Sequence, residues 1–213
     1  MKTMTRKTAL AALAVAPVFG YLATRKTTET KPATRPIRRE PFRAGYFPNV
    51  AMQTHEGKTV RFYDNLLKDK IVVINFFYSR CGGLCSPVAR NLAQVQKLLG
   101  GRVGRDIFIY SISLDPGHDT PAVLREYARN RGIGPGWLLL TGRPEDVELL
   151  RRKLGFTDPD PVVDRDKSQH AGIVRYGNEA LQRWAACPGE AKPEWIAKSI
   201  LWMDWPKAMK KGA

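Results

Sequence analysis

The chain predicts an α/β sandwich, a sheet with helices packed on it. Two apolar runs, residues 71–78 and 107–113, read as buried strands, and each leads into a stretch with apolar residues at helical spacing. A second hairpin-like pattern and a closing helix follow near the C-terminal end. Alternation of strand and helix in this order puts helices over a largely buried sheet.

Element by element, the globular pattern begins at Tyr46. Residues 49–53 and 59–63, joined through His55-Glu56-Gly57-Lys58, predict an N-terminal β-hairpin. The run Ile71-Val-Val-Ile-Asn-Phe-Phe-Tyr78 is a buried strand, and Ser86 to Leu99 a helix. After the strand 107–113, Thr120-Pro121 opens a helix to about Arg131, with proline at the first helical position. Residues 137–140 make a short strand, and 144–154 a helix stopped by Gly155. Residues 158–169 are polar and contain proline, which predicts a loop. Residues 173–176 and 181–184 flank Gly177-Asn178 as a hairpin, and 193–203 close the domain as a helix. The sum is a thioredoxin-like three-layer sandwich with an N-terminal β-hairpin. It occupies residues 46–205, and a basic tail follows at 206–213.

Composition bounds the function. Of 213 residues, 43% are hydrophobic and 26% charged, which excludes a disordered chain and a polytopic membrane protein. The net charge is +15, but residues 1–45 hold ten Lys/Arg against two Glu, so the remainder is only moderately basic. No aromatic-plus-basic surface pattern accompanies the charge, so a nucleic-acid partner is not expected. A basic segment beside anionic lipid headgroups accounts for it better. Thr8 to Ala23 carries no charge and follows Lys2, Arg6 and Lys7, the layout of an export signal. It is shorter than the about 20 residues of a full span. A cleavage motif exists at Ala14-Val15-Ala16, but Pro17 would follow the cut, which favours an uncleaved anchor. Residues 1–23 are therefore expected to form an apolar helix, acting as signal or membrane anchor. Residues 24–45, with Pro32, Pro36 and Pro41, form a basic tether. The expected location is the bacterial inner membrane with the domain facing the periplasm, or the periplasm itself after cleavage.

Cys81-Gly-Gly-Leu-Cys85 sits between the first buried strand and the helix after it. Helix amides at such a junction favour anions, and the thiolate is both the nucleophile and the metal ligand. Three readings stand: two small buried hydrophobes, a redox dithiol, or two ligands of one soft metal ion. In an oxidising compartment a persistently reduced pair needs a reductant or a metal. Zinc would want four protein ligands, whereas copper(I) accepts thiolates plus an imidazole. His170, at the end of the polar loop and just before a strand, fits the third position; its plain alternative is a surface loop histidine. His55 reads as a solvated turn residue. His118 reads as part of the cap before a helix and as the reserve ligand. Cys187 reads as a buried or unpaired thiol.

Three separated motifs carry a resemblance: Phe77-Tyr-Ser-Arg-Cys81-Gly-Gly-Leu-Cys85, Ser111-Ile-Ser-Leu-Asp-Pro-Gly-His-Asp-Thr-Pro-Ala-Val-Leu-Arg-Glu-Tyr127 and Ser168-Gln-His170. Together, over roughly residues 46–203, they resemble the Sco/SenC family of exported, thioredoxin-fold copper proteins. The resemblance implies that Cys81, Cys85 and His170 bind one copper ion. It implies delivery of copper to the binuclear copper site of cytochrome c oxidase, or reduction of that site's cysteines. The partner would be the copper-bearing oxidase subunit or another exported copper or thiol protein. As a thiol–disulfide reductase, the alternative, Cys81 would attack and Cys85 resolve. The chain departs from the family in its Gly-Gly-Leu insert, in Ser86 ahead of Pro87, and in Gln169 where an aspartate commonly precedes the histidine.

Overall fold

The computed structural model describes residues 46–81, 85–166 and 172–204, with Cys85 described in its backbone. The expected apolar helix, the tether, the basic tail and His170 lie outside the described residues. Among those described, no helix is long and apolar enough to cross a membrane.

The strands are β1 (Ala51–Thr54), β2 (Thr59–Arg61), β3 (Ile71–Phe77), β4 (Ile107–Ser113), β5 (Trp137–Gly142), β6 (Ile173–Asn178) and β7 (Arg183–Pro188). The helices are α1 (Cys85–Leu99), α2 (Pro121–Asn130), α3 (Pro144–Lys153), α4 (Pro161–Arg165) and α5 (Pro193–Trp202). The strands form one sheet in the order β2-β1-β5-β4-β3-β6-β7. β3, β4 and β5 run parallel, and the flanking pairs are antiparallel.

All seven residues of β3 are buried, as a central strand covered on both faces requires. Its side chains alternate between two cores. Ile71, Val73 and Phe77 join Val88, Leu92 and Val95 of α1, Leu124 and Ala128 of α2, and the inner face of α5. Val72, Ile74 and Phe76 join Phe62, Leu66 and Leu67, with Val147 and Leu150 of α3. Helices on both faces of a mixed sheet give the expected three-layer, thioredoxin-like sandwich, with β1 and β2 as the expected hairpin.

Three local expectations are corrected. The second hairpin strand ends at Arg61, and Phe62–Leu67 is a π-helical segment. There the Asn49 carboxamide oxygen accepts the amides of Tyr63 and Asp64, and Asn65 accepts that of Arg61, while Phe62, Leu66 and Leu67 turn inward. The polar stretch 158–169 contains α4, because Asp160 accepts the Val162 amide (2.8 Å) and Pro161 supplies the first helical position. Arg151 binds this helix to α3 through both oxygens of Asp164, each 2.7 Å away. Finally, Gly177 and Asn178 are not the hairpin turn. They end β6, and residues 179–182 make the turn, with Gln182 at φ 55°. Gly177 lacks a side chain for another reason: a Cβ there would collide with the Trp184 ring across the pair.

Candidate thiol and metal site

The parallel arrangement of β3 and β4 brings the two loops at their C-terminal ends side by side. Open α/β sheets place ligands at this edge. The Leu114 amide donates to the Phe77 carbonyl (2.7 Å), extending the pairing past the strand ends. The cysteine motif spans this junction as expected: Cys81 closes the loop after β3, and Cys85 is the first residue of α1. The Cys81 amide donates to the Tyr78 carbonyl (3.2 Å), a tight turn, and the residue is only 9% exposed, at the edge of the α1-side core.

The β4–α2 loop grips the two residues ahead of Cys81. The Ser79 amide donates to Asp119 Oδ2 (3.0 Å), and the Ser79 hydroxyl donates to Asp119 Oδ1. Ser113 Oγ, at the end of β4, donates to Asp119 Oδ2 (2.5 Å) and accepts the Asp115 amide (3.0 Å). Asp119 is 0% exposed. Burial works to raise its pKa, but the hydrogen bonds from Ser113, Ser79 and His118 together outweigh it, so the carboxyl lies below the ordinary range. Arg80 reaches Asp115 (2.9 Å), but with its side chain 63% exposed this pair stabilises the loop by about 0–1 kcal/mol.

A second cation lies at the start of α1. Arg131 Nη2 donates to Ser86 Oγ (2.8 Å), and its guanidinium sits 5.1 Å from the centre of the Tyr127 ring. Ser86 thus links the first turn of α1 to the end of α2. The amides at the start of α1 favour an anion there, and Arg131 lies beside its second residue, Ser86.

The remaining candidates separate. His118 Nδ1 lies 3.0 Å from Asp119 Oδ1 and 3.4 Å from Ser79 Oγ. An ionised carboxylate only accepts, so Nδ1 carries the proton. Thr120, not His118, caps α2, its hydroxyl accepting the Val123 amide; His118 lies instead against the loop that leads to Cys81. His55 is not a solvated turn residue. It is half-buried, its Nδ1 accepts the Leu139 amide (3.2 Å), and its own amide donates to the Leu139 carbonyl (2.9 Å), which prolongs the β1–β5 pairing. Burial pushes its pKa down. Cys187 is a free, buried thiol of β7 opposite Val174, and burial pushes its pKa up to about 11. Cys187 is therefore expected to resist iodoacetamide at pH 8 in the folded chain and to react once the chain is unfolded. Peptide mapping before and after denaturant checks this.

Of the three expected metal donors, only Cys81 has a described side chain. Among the described residues no three His, Cys, Asp or Glu gather as a metal site. β6 begins beside the C-terminal end of β3, with Val174 opposite Asn75, so residue 172 stands at the edge that carries the cysteine turn. Sequence reasoning missed Ser79, Ser113, Asp119 and Arg131. A signal was present for Asp119: two carboxylates bracket a Pro-Gly turn immediately after the strand that neighbours β3.

A family model described as SCO1/SenC matches residues 48–202. Protein SenC of Rhodobacter capsulatus is 32% identical over 156 residues, 68% of this chain and 64% of that one. The chain spans between 42% and 64% of the length of the curated relatives it matches. A crystal structure of yeast Sco1 with copper bound superposes with a TM-score of 0.57 at 21% identity, covering 76% of this chain and 90% of that one. BsSco, described as having a disulfide switch and as a member of the Sco family of cytochrome c oxidase assembly proteins, superposes with a TM-score of 0.58. Its identity is 22%, over 72% of this chain and 90% of that one. These likenesses establish the fold.

Proposed function

Because the chain belongs to the SCO1/SenC family, we propose that it is a copper chaperone that carries one copper ion on Cys81, Cys85 and His170. The observation that carries this reading is the position of the cysteine motif. It spans the β3–α1 junction of a thioredoxin-like domain, at the edge to which β6 returns the chain after residue 172. Relatives of the same fold are described as holding copper and as cytochrome c oxidase assembly proteins, which supports copper as cargo and that oxidase's copper-bearing subunit as recipient. Residues 1–23 would anchor the chain in the membrane, and residues 24–45 would tether the domain on the exported side.

Two thiolates and an imidazole suit copper(I), a soft ion content with few ligands. Protons compete for all three donors, so affinity falls as the pH falls. A recipient presenting soft donors would take the ion by stepwise exchange. A second reading is favoured by the BsSco disulfide switch: the pair reduces a partner's disulfide, with Cys81 attacking and Cys85 resolving.

His170→Ala separates the two. The variant is expected to bind copper(I) at least about tenfold more weakly, since one of three donors is lost, and to reduce insulin disulfides at nearly the wild-type rate. Chelator competition and an insulin turbidity assay on the reduced full chain measure both. Unchanged copper affinity with lost reductase activity would replace the chaperone reading with the enzyme.

A further inference from the structure

We propose that Asp119 is a positioning residue for Cys81, fixing the turn that presents this thiol to its metal or disulfide partner. The inference rests on the reading of Cys81 as a copper and redox ligand. A carboxylate offers about four acceptor sites, and four donors converge on this one. Ser79 supplies two of them, its amide (3.0 Å) and its hydroxyl; Ser113 supplies a hydroxyl (2.5 Å) and His118 a ring N–H (3.0 Å). With its acceptor sites used and no solvent exposure, the carboxylate has no alternative partner to swing toward. It therefore locks Ser79, two residues before Cys81, onto the end of β4.

The same loop holds the next residue too. Asp115 takes Arg80 (2.9 Å), and the Asp119 amide donates to the Asp115 carbonyl (2.8 Å), so both carboxylates belong to one closed turn. The Cys81 amide then folds back on Tyr78 (3.2 Å). The place of Cys81 relative to the sheet is thus set through Ser79, which Asp119 holds two residues earlier. Partners that orient a metal's ligands typically change affinity about 10–100-fold when removed.

Asp119→Asn keeps the shape but presents an N–H₂ where the carboxylate accepts. In the reduced full chain it is expected to lower copper(I) affinity about 10–100-fold in chelator competition. It should also shift the equilibrium of the cysteine pair with glutathione. Ser79→Ala, which loses the hydroxyl bond and keeps the backbone bond, is expected to lower affinity about two- to tenfold. It carries the test alone if Asp119→Asn does not fold. Ile112→Val thins the core on the opposite face of the sheet; it should lower the melting temperature and leave affinity unchanged. Wild-type affinity in folded Asp119→Asn and Ser79→Ala would overturn the positioning role, as would an equal loss in Ile112→Val. Copper held undiminished by a Cys81→Ala, Cys85→Ala chain would instead overturn the reading on which the inference rests.

Discussion

Replacing Cys81 and Cys85 together by alanine is expected to take the chain from a single bound copper ion to none, read by equilibrium dialysis of the reduced protein against copper(I). The two thiolates are the soft, anionic part of the proposed donor set, and a lone imidazole at His170 cannot hold copper(I) against a competing chelator. The fold should survive, because the turn at Cys81 is held by other groups: the Ser79 amide and hydroxyl on Asp119, Arg80 on Asp115, and the Cys81 backbone on Tyr78. The melting temperature is therefore expected to change little. Loss of binding would reflect lost ligands and not lost structure.

Trp137→Ala is expected to have the largest effect on stability. Trp137 is the largest of the fully buried side chains, 2% exposed, and it begins β5 under α1 and α2. Truncating a buried aromatic typically costs about 3–5 kcal/mol, through lost transfer energy and the cavity left behind. Its Nε1–H also donates to Ser111 Oγ (2.9 Å), which in turn donates to Asn75 Oδ1 (2.6 Å), so a polar chain crosses β5, β4 and β3 inside the core. Removing the indole leaves the Ser111 hydroxyl one partner short in a dry place. The melting temperature should fall on the order of 10 °C. Trp137→Phe keeps most of the apolar volume and loses only the donor, so its fall should be a fraction of that. Equal effects of the two variants would mean that the hydrogen-bonded chain, not burial, dominates at this position.

The sheet was legible because its central strands are apolar on both faces; Ile71 to Phe77 leaves no other reading. The helices announced themselves through Pro121, Pro144 and Pro193 at their first turns. Misreadings arose where a residue type serves two physical purposes. Gly177-Asn178 resembles a hairpin turn, but the glycine admits the Trp184 ring and the turn comes after Asn178. Pro161 in a polar stretch looks like a loop residue, but the Asp160 cap, the Arg151–Asp164 ion pair and the Asp158 amide on Asp164 help hold Pro161–Arg165 as a helix. For the site, the cysteine motif and its position were legible from the strand before it and the helix after it. Asp119 was not. Its role depends on Ser79, forty residues earlier by number, and on the parallel pairing of β3 with β4 that brings the two loops together. His55 shows the opposite error: a histidine in a turn looks solvated until the strand beside it supplies a backbone partner.

The central claim, that one copper ion is held by sulfur from Cys81 and Cys85 and nitrogen from His170, is tested most directly by copper X-ray absorption. The sample is the full chain, reduced, loaded with copper(I) under anaerobic conditions and freed of excess metal. The account predicts a copper(I) edge and a nearest shell of two sulfur scatterers and one nitrogen, with the nitrogen lost in His170→Ala. A shell of nitrogen and oxygen alone, unchanged when both cysteines are replaced, would contradict it.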